Sequence, residues 1–325
     1  MFAQLINTLK KSPKTIVFTE GTDPRILEAS ARLLSGNFLK PVLVGNPDEI
    51  AAAAEDIGFN IRGAEIIDPE NFDGMDEMVD EMVTLRKGKM TADECRAALK
   101  KSNYFGTMLV KMGKADCLLG GATYSTADTV RPALQLIKTK PGNKIVSSCF
   151  IMVRPAASGE NEVLAMADCA INIKPNEDEL VEICKETVSC AKIFGVDPKV
   201  AFLSYSTLGS GKGEDVDKMR NACEKAKALM PDTPIGGEFQ FDAAVSPAVA
   251  KTKHITDAVG GHANTFIFPD INAGNIGYKI AQRLGGYAAY GPILQGLNAP
   301  INDLSRGCNA LEVYSMAIIT AGLVD

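Results

Sequence analysis

Residues 116–138 read DCLLGGATYSTADTVRPALQLIK. The short apolar run over 116–121 predicts a strand, and the segment behind it predicts a helix, with Pro132 suited to that helix's first turn. The same change of pattern recurs along most of the chain, and further strands are predicted over residues 15–20, 41–45, 64–68, 144–153, 162–171, 200–206, 264–270 and 288–296. Alternation of this kind is typical of parallel βαβ units, so the sequence predicts a three-layer α/β architecture.

Residue spacing supports two of the intervening helices, because residues three or four apart lie on one helix face. The two predicted apolar faces consist of Leu180, Cys184, Val188 and Ala191, and of Val216, Met219, Cys223 and Met230. In such folds ligands bind at the loops that lead from strand ends into helices, so those loops are the places to look for chemistry.

Composition limits the class of protein. The 325 residues include 34 Lys+Arg and 40 Asp+Glu, a net charge of −6, and 46% of them are hydrophobic. This balance excludes a typical nucleic-acid-binding protein and excludes general disorder. The length predicts two α/β lobes or one large domain, and residues 140–143 form the clearest internal break.

Cysteine and histidine usage narrows the chemistry. The eight cysteines form no CxxC pair, which argues against a thioredoxin-like site or a zinc knuckle and favours reduced, buried thiols. His254 and His262 are the only imidazoles, so we expect no metal site and expect a carboxylate to carry any proton transfer. The N-terminus lacks the order of a signal peptide and no apolar run is of membrane-spanning length, so we expect a soluble, cytoplasmic protein without a membrane partner.

The loop after the 116–121 strand is the first candidate site. Ser125, Thr126 and Thr129 offer hydroxyl groups near Arg131, and a helix start with exposed amides favours an anion. Capping of the helix by Ser or Thr is the commoner use of such residues, and the pattern alone leaves both interpretations open.

A second candidate lies near the C-terminus, where a strand leads through Pro300 to a concentration of polar residues. If a helix begins at about Ser305, Glu312 returns to nearly the same face seven residues later, with Arg306 in the first turn. A hydroxyl and a carboxylate would then border one pocket. The alternative interpretation has Asp303 or Ser305 as the helix N-cap, with Arg306 and Glu312 solvated.

Three further segments have weaker patterns. Residues 203–218 place Gly209, Gly211, Lys212 and Gly213 where a phosphate-binding loop would lie, but they match neither standard glycine motif. Residues 267–284 offer Asn275, Tyr278 and Lys279 behind another strand, and residues 84–91 offer Arg86. Turn formation and solvated helix surface are the alternative roles of these residues.

Taken in order, STADTVRPALQ (125–135), GEFQFDAAV (237–245), FPDINAGNIGYK (268–279) and GPILQGLNAPINDLSRGC (291–308) resemble the phosphate acetyltransferases, or phosphotransacetylases. The resemblance covers essentially the whole chain. It implies reversible acetyl transfer between coenzyme A and inorganic phosphate, giving acetyl phosphate, without a metal or redox cofactor. It also implies a cytoplasmic homodimer.

The fold that the resemblance implies is similar to that of isocitrate and isopropylmalate dehydrogenases, with two three-layer α/β/α lobes and a cleft between them. Because the last helix of such a fold returns to the first lobe, we assign residues 1–143 and 299–325 to the first domain and 144–298 to the second.

The family's site residues fall on named positions of this chain. The catalytic serine, arginine and acidic residue fall on Ser305, Arg306 and Glu312, and two arginines implicated in coenzyme A binding fall on Arg86 and Arg131. Further candidates for binding coenzyme A or phosphate are Ser125, Thr126, Asn275, Tyr278 and Lys279. The chain departs from the family in having Glu312 where aspartate is common and Tyr124 where histidine is familiar, and residues 85–91 are one residue short.

Three other functions remain open. The first is transfer of a longer acyl group, such as propionyl or butyryl, because sequence does not measure the depth of an acyl pocket. The second is a non-catalytic coenzyme A-binding regulatory module, which the complete Ser-Arg-acid set disfavours. The third is a nicotinamide dehydrogenase, which the missing dinucleotide fingerprint disfavours.

Overall fold

The computed structural model describes residues 2–156 and 159–324. The chain divides into two compact units. Phe2–Pro141 and the segment from Leu297 onward form one, here called the split unit, and Gly142–Gly296 form the other, the central unit. The boundaries expected from sequence, after residues 143 and 298, lie two residues further along the chain.

The split unit contains a five-stranded sheet in the order β11-β4-β1-β2-β3, and every neighbouring pair is parallel. Its strands are β1 (Lys14–Phe18), β2 (Leu39–Val44), β3 (Glu65–Ile67), β4 (Cys117–Gly120) and β11 (Ile301–Asp303). Its helices are α1 (Phe2–Lys11), α2 (Pro24–Gly36), α3 (Pro47–Asp56), α4 (Met75–Arg86), α5 (Ala92–Leu99), α6 (Ser102–Lys111), α7 (Thr126–Pro132) and α13 (Ala310–Gly322), with a 3₁₀ turn at Pro69–Asn71 and a π-helical turn at Ala133–Ile137.

Helices cover both faces of this sheet. Successive strand residues point to opposite sides, so each face has its own buried apolar side chains. Val17 lies in a core shared with α4, α5 and α6, whereas α2 and α13 contact the sheet from the face that buries Ile16 and Phe18. The unit is therefore three layers thick. The helix predicted with Pro132 in its first turn instead starts at Thr126, so Pro132 is its last residue.

The central unit contains a six-stranded sheet in the order β10-β5-β6-β9-β7-β8. Its strands are β5 (Ser147–Pro155), β6 (Asn161–Ala167), β7 (Val200–Leu203), β8 (Ile235–Phe239), β9 (Thr265–Ile267) and β10 (Ala288–Gln295). Its helices are α8 (Glu177–Ile193), α9 (Glu214–Leu229), α10 (Phe241–Val245), α11 (Pro247–Thr252) and α12 (Ile271–Arg283). α8 and α9 contact the strands, and residues from α10 and α12 pack in a second core with β5, β6 and β9.

The expectation of parallel pairing is wrong for one edge of the central sheet. β5 pairs antiparallel with both β6 and β10, while β6, β9, β7 and β8 pair parallel. β5 and β6 follow one another without an intervening helix, a connection that only antiparallel neighbours allow.

Each predicted strand overlaps an observed one, but two strands were missed. β8 has the sequence IGGEF, and its two glycines hide the strand pattern. β11 is three residues long and follows Pro300. The segment predicted to run as one strand through Pro300 is β10 in the central sheet followed by β11 in the split-unit sheet.

One predicted helix face is confirmed in full and the other in three of its four residues. Leu180, Cys184, Val188 and Ala191 are buried on α8, and Val216, Met219 and Cys223 are buried on α9. Met230 lies one residue beyond the end of α9 and is only partly buried, so it does not belong to that face.

Candidate active site

The loops that follow β1, β4 and β11 begin at the same edge of the split-unit sheet, because these three strands are neighbours and parallel. This is the carboxyl edge, where ligands bind in folds of this class. The three loops carry residues 19–25, 121–125 and 304–309, which include the two strongest candidate segments from the sequence.

A tight turn after β11 carries the predicted serine and arginine. The amide of Leu304 donates to the carbonyl of Gly120 at 2.7 Å, and the amide of Cys308 donates to the carbonyl of Ser305 at 2.9 Å. The side chains of Ser305 and Arg306 are exposed, and the guanidinium of Arg306 has no hydrogen-bond or ion-pair partner among the described residues. The turn therefore presents a hydroxyl and an uncommitted cation.

The expected helix start at Ser305 is wrong. α13 begins at Ala310 with Asn309 as its N-cap, so neither Asp303 nor Ser305 caps it. Asn309 and Glu312 form a capping box: Asn309 Oδ1 accepts from the amide of Glu312, and Glu312 Oε2 accepts from the amide of Asn309, both at 2.9 Å. Glu312 is half-buried in the first turn, and its other carboxylate oxygen has no partner among the described residues.

Arg25 braces this turn, and the sequence analysis missed it. Its guanidinium binds both carboxylate oxygens of Asp23, at 2.9 and 2.7 Å. It also donates to the carbonyl oxygens of Arg306 at 2.8 Å, of Cys308 at 3.2 Å and of Ala122 at 2.9 Å. One side chain thus ties the three loops together. Burial raises the pKa of Asp23, but the bonds from Arg25 outweigh burial and hold that pKa below its usual value.

The carboxylate of Asp303, at the end of β11, holds the start of α7. Thr126 Oγ1 donates to its Oδ2 at 2.6 Å and Thr129 Oγ1 to its Oδ1 at 2.5 Å. Asp303 is 2% exposed; burial raises its pKa and the two hydroxyl bonds oppose the rise. Gly121 has φ +99° and lies so close that a Cβ there would collide with Asp303 Oδ1, which explains a glycine at this position.

Glu20, just after β1, holds the loop that follows β4. Its Oε1 accepts from the amides of Gly121 at 2.9 Å and Thr123 at 3.2 Å, and its Oε2 accepts from Thr19 Oγ1 at 2.8 Å. Burial raises the pKa of this carboxyl above 4.5, and the three hydrogen bonds only partly oppose the rise. A carboxylate of this kind is suited to proton transfer nearer neutral pH than an ordinary glutamate.

The remaining predicted residues of the split unit have separate surroundings. Ser125 occupies the N-cap position of α7 but donates its hydroxyl to Asp128 Oδ2 at 2.7 Å, which lowers the pKa of Asp128. Arg131 is exposed on α7 and borders a 410 Å³ cavity. Arg86 ends α4, and its Nε is buried without a hydrogen-bond partner.

The predicted residues of the central unit take part in its internal contacts. Asn275 Nδ2 donates to the carbonyl of Cys169 at 3.0 Å, and Tyr278 stacks on Phe150 with ring centroids 3.9 Å apart. Lys279 is exposed and donates to Asn275 Oδ1 at 2.8 Å. Asn275 and Tyr278 therefore also hold α12 on the sheet.

Two amides of the glycine-rich loop between β7 and α9 are already bonded within the protein. The amide of Gly209 donates to Glu238 Oε1 at 2.7 Å and that of Gly211 to Ser206 Oγ at 2.9 Å. A carboxylate of the protein itself occupies the position that an external anion would need.

All eight cysteines are free and buried, as expected. Cys308 lies next to the Ser305–Arg306 turn with its Sγ 3.7 Å from Arg25 Nη1. Burial raises the pKa of its thiol, and the charge of Arg25 only partly opposes this.

Comparison with known proteins identifies the family. Residues 1–321 match the family described as phosphate acetyl/butaryl transferase. The phosphate acetyltransferase of Bacillus subtilis is 52% identical over 306 residues, which cover 94% of this chain and 93% of that protein. The chain belongs to the phosphate acetyl/butaryl transferase family.

Solved structures of relatives agree with this assignment. A phosphotransacetylase from Streptococcus pyogenes superposes with a TM-score of 0.93 at 49% identity, and the EutD phosphotransacetylase from Staphylococcus aureus with 0.91 at 45%. Each comparison covers 100% of this chain and 99% of the other. A putative 4-hydroxythreonine-4-phosphate dehydrogenase from Salmonella typhimurium, 12% identical with a TM-score of 0.56, shares the fold alone. The family and the dehydrogenase-like α/β fold expected from sequence are confirmed.

Residues 2–156 and 159–324 contain neither a membrane-spanning helix nor a metal-binding cluster. None of their helices is long and apolar enough to cross a membrane. They contain no group of three or more His, Cys, Asp or Glu side chains that could hold a metal ion.

Proposed function

We propose that this member of the phosphate acetyltransferase family transfers acetyl between coenzyme A and inorganic phosphate in a direct ternary complex, at the Ser305–Arg306 turn and the first turn of α13. The observation that carries this proposal is that three polar side chains there have groups available to bind a ligand. The exposed Ser305 hydroxyl lies there with a guanidinium and a carboxylate oxygen that have no partner among the described residues, on a segment whose backbone carbonyls accept from Arg25.

The proposed steps assign one role to each residue. With acetyl phosphate as donor, Glu312 takes the proton of the coenzyme A thiol, whose unperturbed pKa is ~8.5, and the thiolate attacks the carbonyl carbon. The Ser305 hydroxyl stabilises the oxyanion, and Arg306 binds the phosphate that leaves. In reverse, phosphate attacks the thioester and Glu312 returns the proton to the departing sulfur. No acetyl-serine forms, and the two substrates supply nucleophile and leaving group without a metal or redox cofactor.

Arg86 and Arg131 are proposed to bind coenzyme A, with Ser125, Thr126, Asn275, Tyr278 and Lys279 as further contacts for coenzyme A or phosphate. The exposed guanidinium of Arg131 and the unpartnered Nε of Arg86 support this assignment. Because the chain has a net charge of −6, local cations must oppose its overall field to bind two anionic substrates.

The decisive experiment measures acetyl phosphate formed from acetyl-coenzyme A with and without inorganic phosphate. Phosphate-dependent release of coenzyme A supports the proposal, and its absence would favour a non-catalytic binding module. Parallel assays with propionyl- and butyryl-coenzyme A test the longer acyl groups that the family description includes. Preference for either of these would replace acetyl as the substrate.

Glu312→Gln tests the general base against a matched control. Glutamine keeps a capping box, so we expect the fold to persist while turnover falls ~10²–10⁴-fold. Glu179→Gln changes the same Asn-x-x-Glu box at the start of α8, where no chemistry is proposed. Equal, small effects of the two variants would mean that Glu312 is only a capping residue.

Arg306→Ala should raise KM for phosphate, and Arg131→Ala should raise KM for coenzyme A.

We also propose that the protein is a homodimer in the cytoplasm. The free, buried cysteines suit a reducing compartment. In the central unit, Ile276, Ile280 and Leu284 form an exposed apolar stripe along α12, with Leu284 85% exposed. Beside the stripe lies an 850 Å³ groove lined in part by Phe241 and Val245. A ridge next to a groove of the same chemistry suits a two-fold interface, in which each copy's stripe fills the other's groove.

The dimer is tested by light scattering on the purified full chain. Leu284→Glu should shift it to a monomer, whereas Leu229→Glu, which changes an exposed leucine at the end of α9, should leave a dimer. A monomeric wild type, or loss of the dimer in the control alone, would refute this interface.

A further inference from the structure

Two carboxylates at the carboxyl edge of the split-unit sheet, the partly buried Glu20 and the buried Asp303, form no ion pair with a described residue. Glu20 follows β1 and Asp303 ends β11, with β4 between these strands. Neither forms a salt bridge within the described part of the chain, and their hydrogen bonds come from hydroxyl groups and amides. Such a carboxylate depends on how its donors are oriented, because no ion pair offsets the cost of burying it.

Tyr124 lies between the two carboxylates. Its Oη is 2.8 Å from Thr19 Oγ1, Thr129 lies nearby, and burial raises the pKa of the phenol. A threonine hydroxyl has one hydrogen, and Thr19 donates its own to Glu20, so Tyr124 is the donor to Thr19. Thr129 in turn donates to Asp303. The tyrosine hydroxyl thus lies between the hydroxyls that serve the two carboxylates.

Each carboxylate also fixes backbone next to the proposed reacting turn. Glu20 holds the amides of Gly121 and Thr123, in the loop whose Ala122 carbonyl accepts from Arg25. Asp303 lies two residues before Ser305. The amide of Leu304, between them, donates to the carbonyl of Gly120. A change at Tyr124 would therefore reach the turn through Glu20 and the loop after β4.

We propose that Tyr124 is a positioning residue for acetyl transfer: through Thr19 its hydroxyl orients the Glu20 carboxylate, which holds the loop after β4 where Arg25 ties that loop to the Ser305–Arg306 turn. This inference rests on the proposed function for its kinetic consequence, but its structural consequence is independent of catalysis.

Tyr124→Phe removes only the hydroxyl, and Tyr104→Phe is the matched control. Tyr104 is a tyrosine of the same unit whose hydroxyl donates to Gln135 at 3.0 Å. We expect Tyr124→Phe to raise KM for phosphate about 3- to 10-fold with KM for coenzyme A unchanged, the size of one hydrogen bond. Hydrogen–deuterium exchange should speed up in peptides covering 118–125 and 301–309. Tyr104→Phe should change neither quantity.

A second substitution separates positioning from general loosening. Thr19→Val removes the neighbouring link, and because both changes break one chain, the double variant should be no worse than the more affected single variant. Additive effects would overturn the proposal. Wild-type exchange rates in Tyr124→Phe would also overturn the proposal, whether activity is kept or lost. Lost activity with unchanged exchange would mean that Tyr124 contacts a substrate. If the wild type fails to release coenzyme A with phosphate, the exchange measurement still decides the link.

Discussion

Glu20 and Glu238 hold loops in similar ways, one in each unit. Glu20 accepts from a threonine hydroxyl and two amides of the loop after β4. Glu238 accepts from Ser206 Oγ at 2.9 Å and from the amide of Gly209 at 2.7 Å, in the loop after β7. The two sites differ in their cationic partner. Arg220 Nε donates to Glu238 Oε2 at 3.1 Å, whereas no described cation forms an ion pair with Glu20.

That cation reverses the pKa shift. Burial raises the pKa of Glu238, but the bonds from Arg220, Gly209 and Ser206 together outweigh burial and hold the pKa below 4.5. At Glu20, burial prevails and the pKa is raised above 4.5. A loop-holding carboxylate paired with arginine is a permanent structural anion, whereas the unpaired one remains able to exchange a proton. The unpaired one lies in the unit that carries the proposed reacting turn.

The largest expected effect comes from Glu238→Gln. Glutamine still accepts from the loop, but its amide NH₂ faces Arg220, so a charged hydrogen bond to a 0% exposed carboxylate is lost. We expect the free energy of unfolding to fall by about 2 kcal/mol at pH 7. Hydrogen exchange of β7 and β8 peptides in urea measures it for the central unit alone. Glu20→Gln, read out on β1 and β4, should show no such fall, and equal losses would remove the distinction between the two sites.

The next-largest expected effect is a difference in the rate of thiol labelling, because one cysteine lies near each glutamate. Burial raises the pKa of Cys223 to about 12, and the charge of Glu238 adds to the rise. Cys308, near Glu20, is 8% exposed and Arg25 partly opposes the rise in its pKa that burial causes, so it should react with iodoacetamide at least about tenfold faster. Peptide mass spectrometry at pH 8 measures both rates. Labelling of Cys308 should abolish activity, whereas Cys308→Ala should retain activity under the same treatment. Faster labelling of Cys223 than of Cys308 would contradict the comparison.

The sequence predicted most of the fold because apolar periodicity is local. The runs at 15–20 and 116–121 contain enough apolar residues to identify β1 and β4 unaided. β11 has three residues, and β8 carries two glycines, so their identity depends on the sheets that receive them. Periodicity also says nothing of strand direction, which is why the antiparallel edge at β5 was not expected.

The site was predicted less completely, because side chains that position others carry no motif. The pattern singled out Ser305, Arg306 and Glu312 and the family resemblance gave them roles, whereas Arg25 and Glu20 came only from the structure. A signal was present in TEGTDPR (19–25), where Asp23 and Pro24 mark a helix start directly after a strand. The placement of Glu312 failed for a related reason, since Asn309 is a better N-cap than Ser305 at the end of a turn that Arg25 closes.

The smallest expected effect is a pH dependence of opposite sign at the two glutamates. Because the folded-state pKa of Glu20 is raised, its buried carboxyl favours the protonated form, and its contribution to stability falls as pH rises from 4.5 through the folded pKa. The wild type and Glu20→Gln should therefore have equal urea midpoints at about pH 4, and the variant should be slightly more stable at pH 7. For Glu238, whose pKa is lowered, the wild type should be the more stable protein above pH 4.5 and should lose that advantage as pH falls through the folded pKa. Urea midpoints across this range measure both trends, and parallel curves would mean that Arg220 does not set the two carboxylates apart.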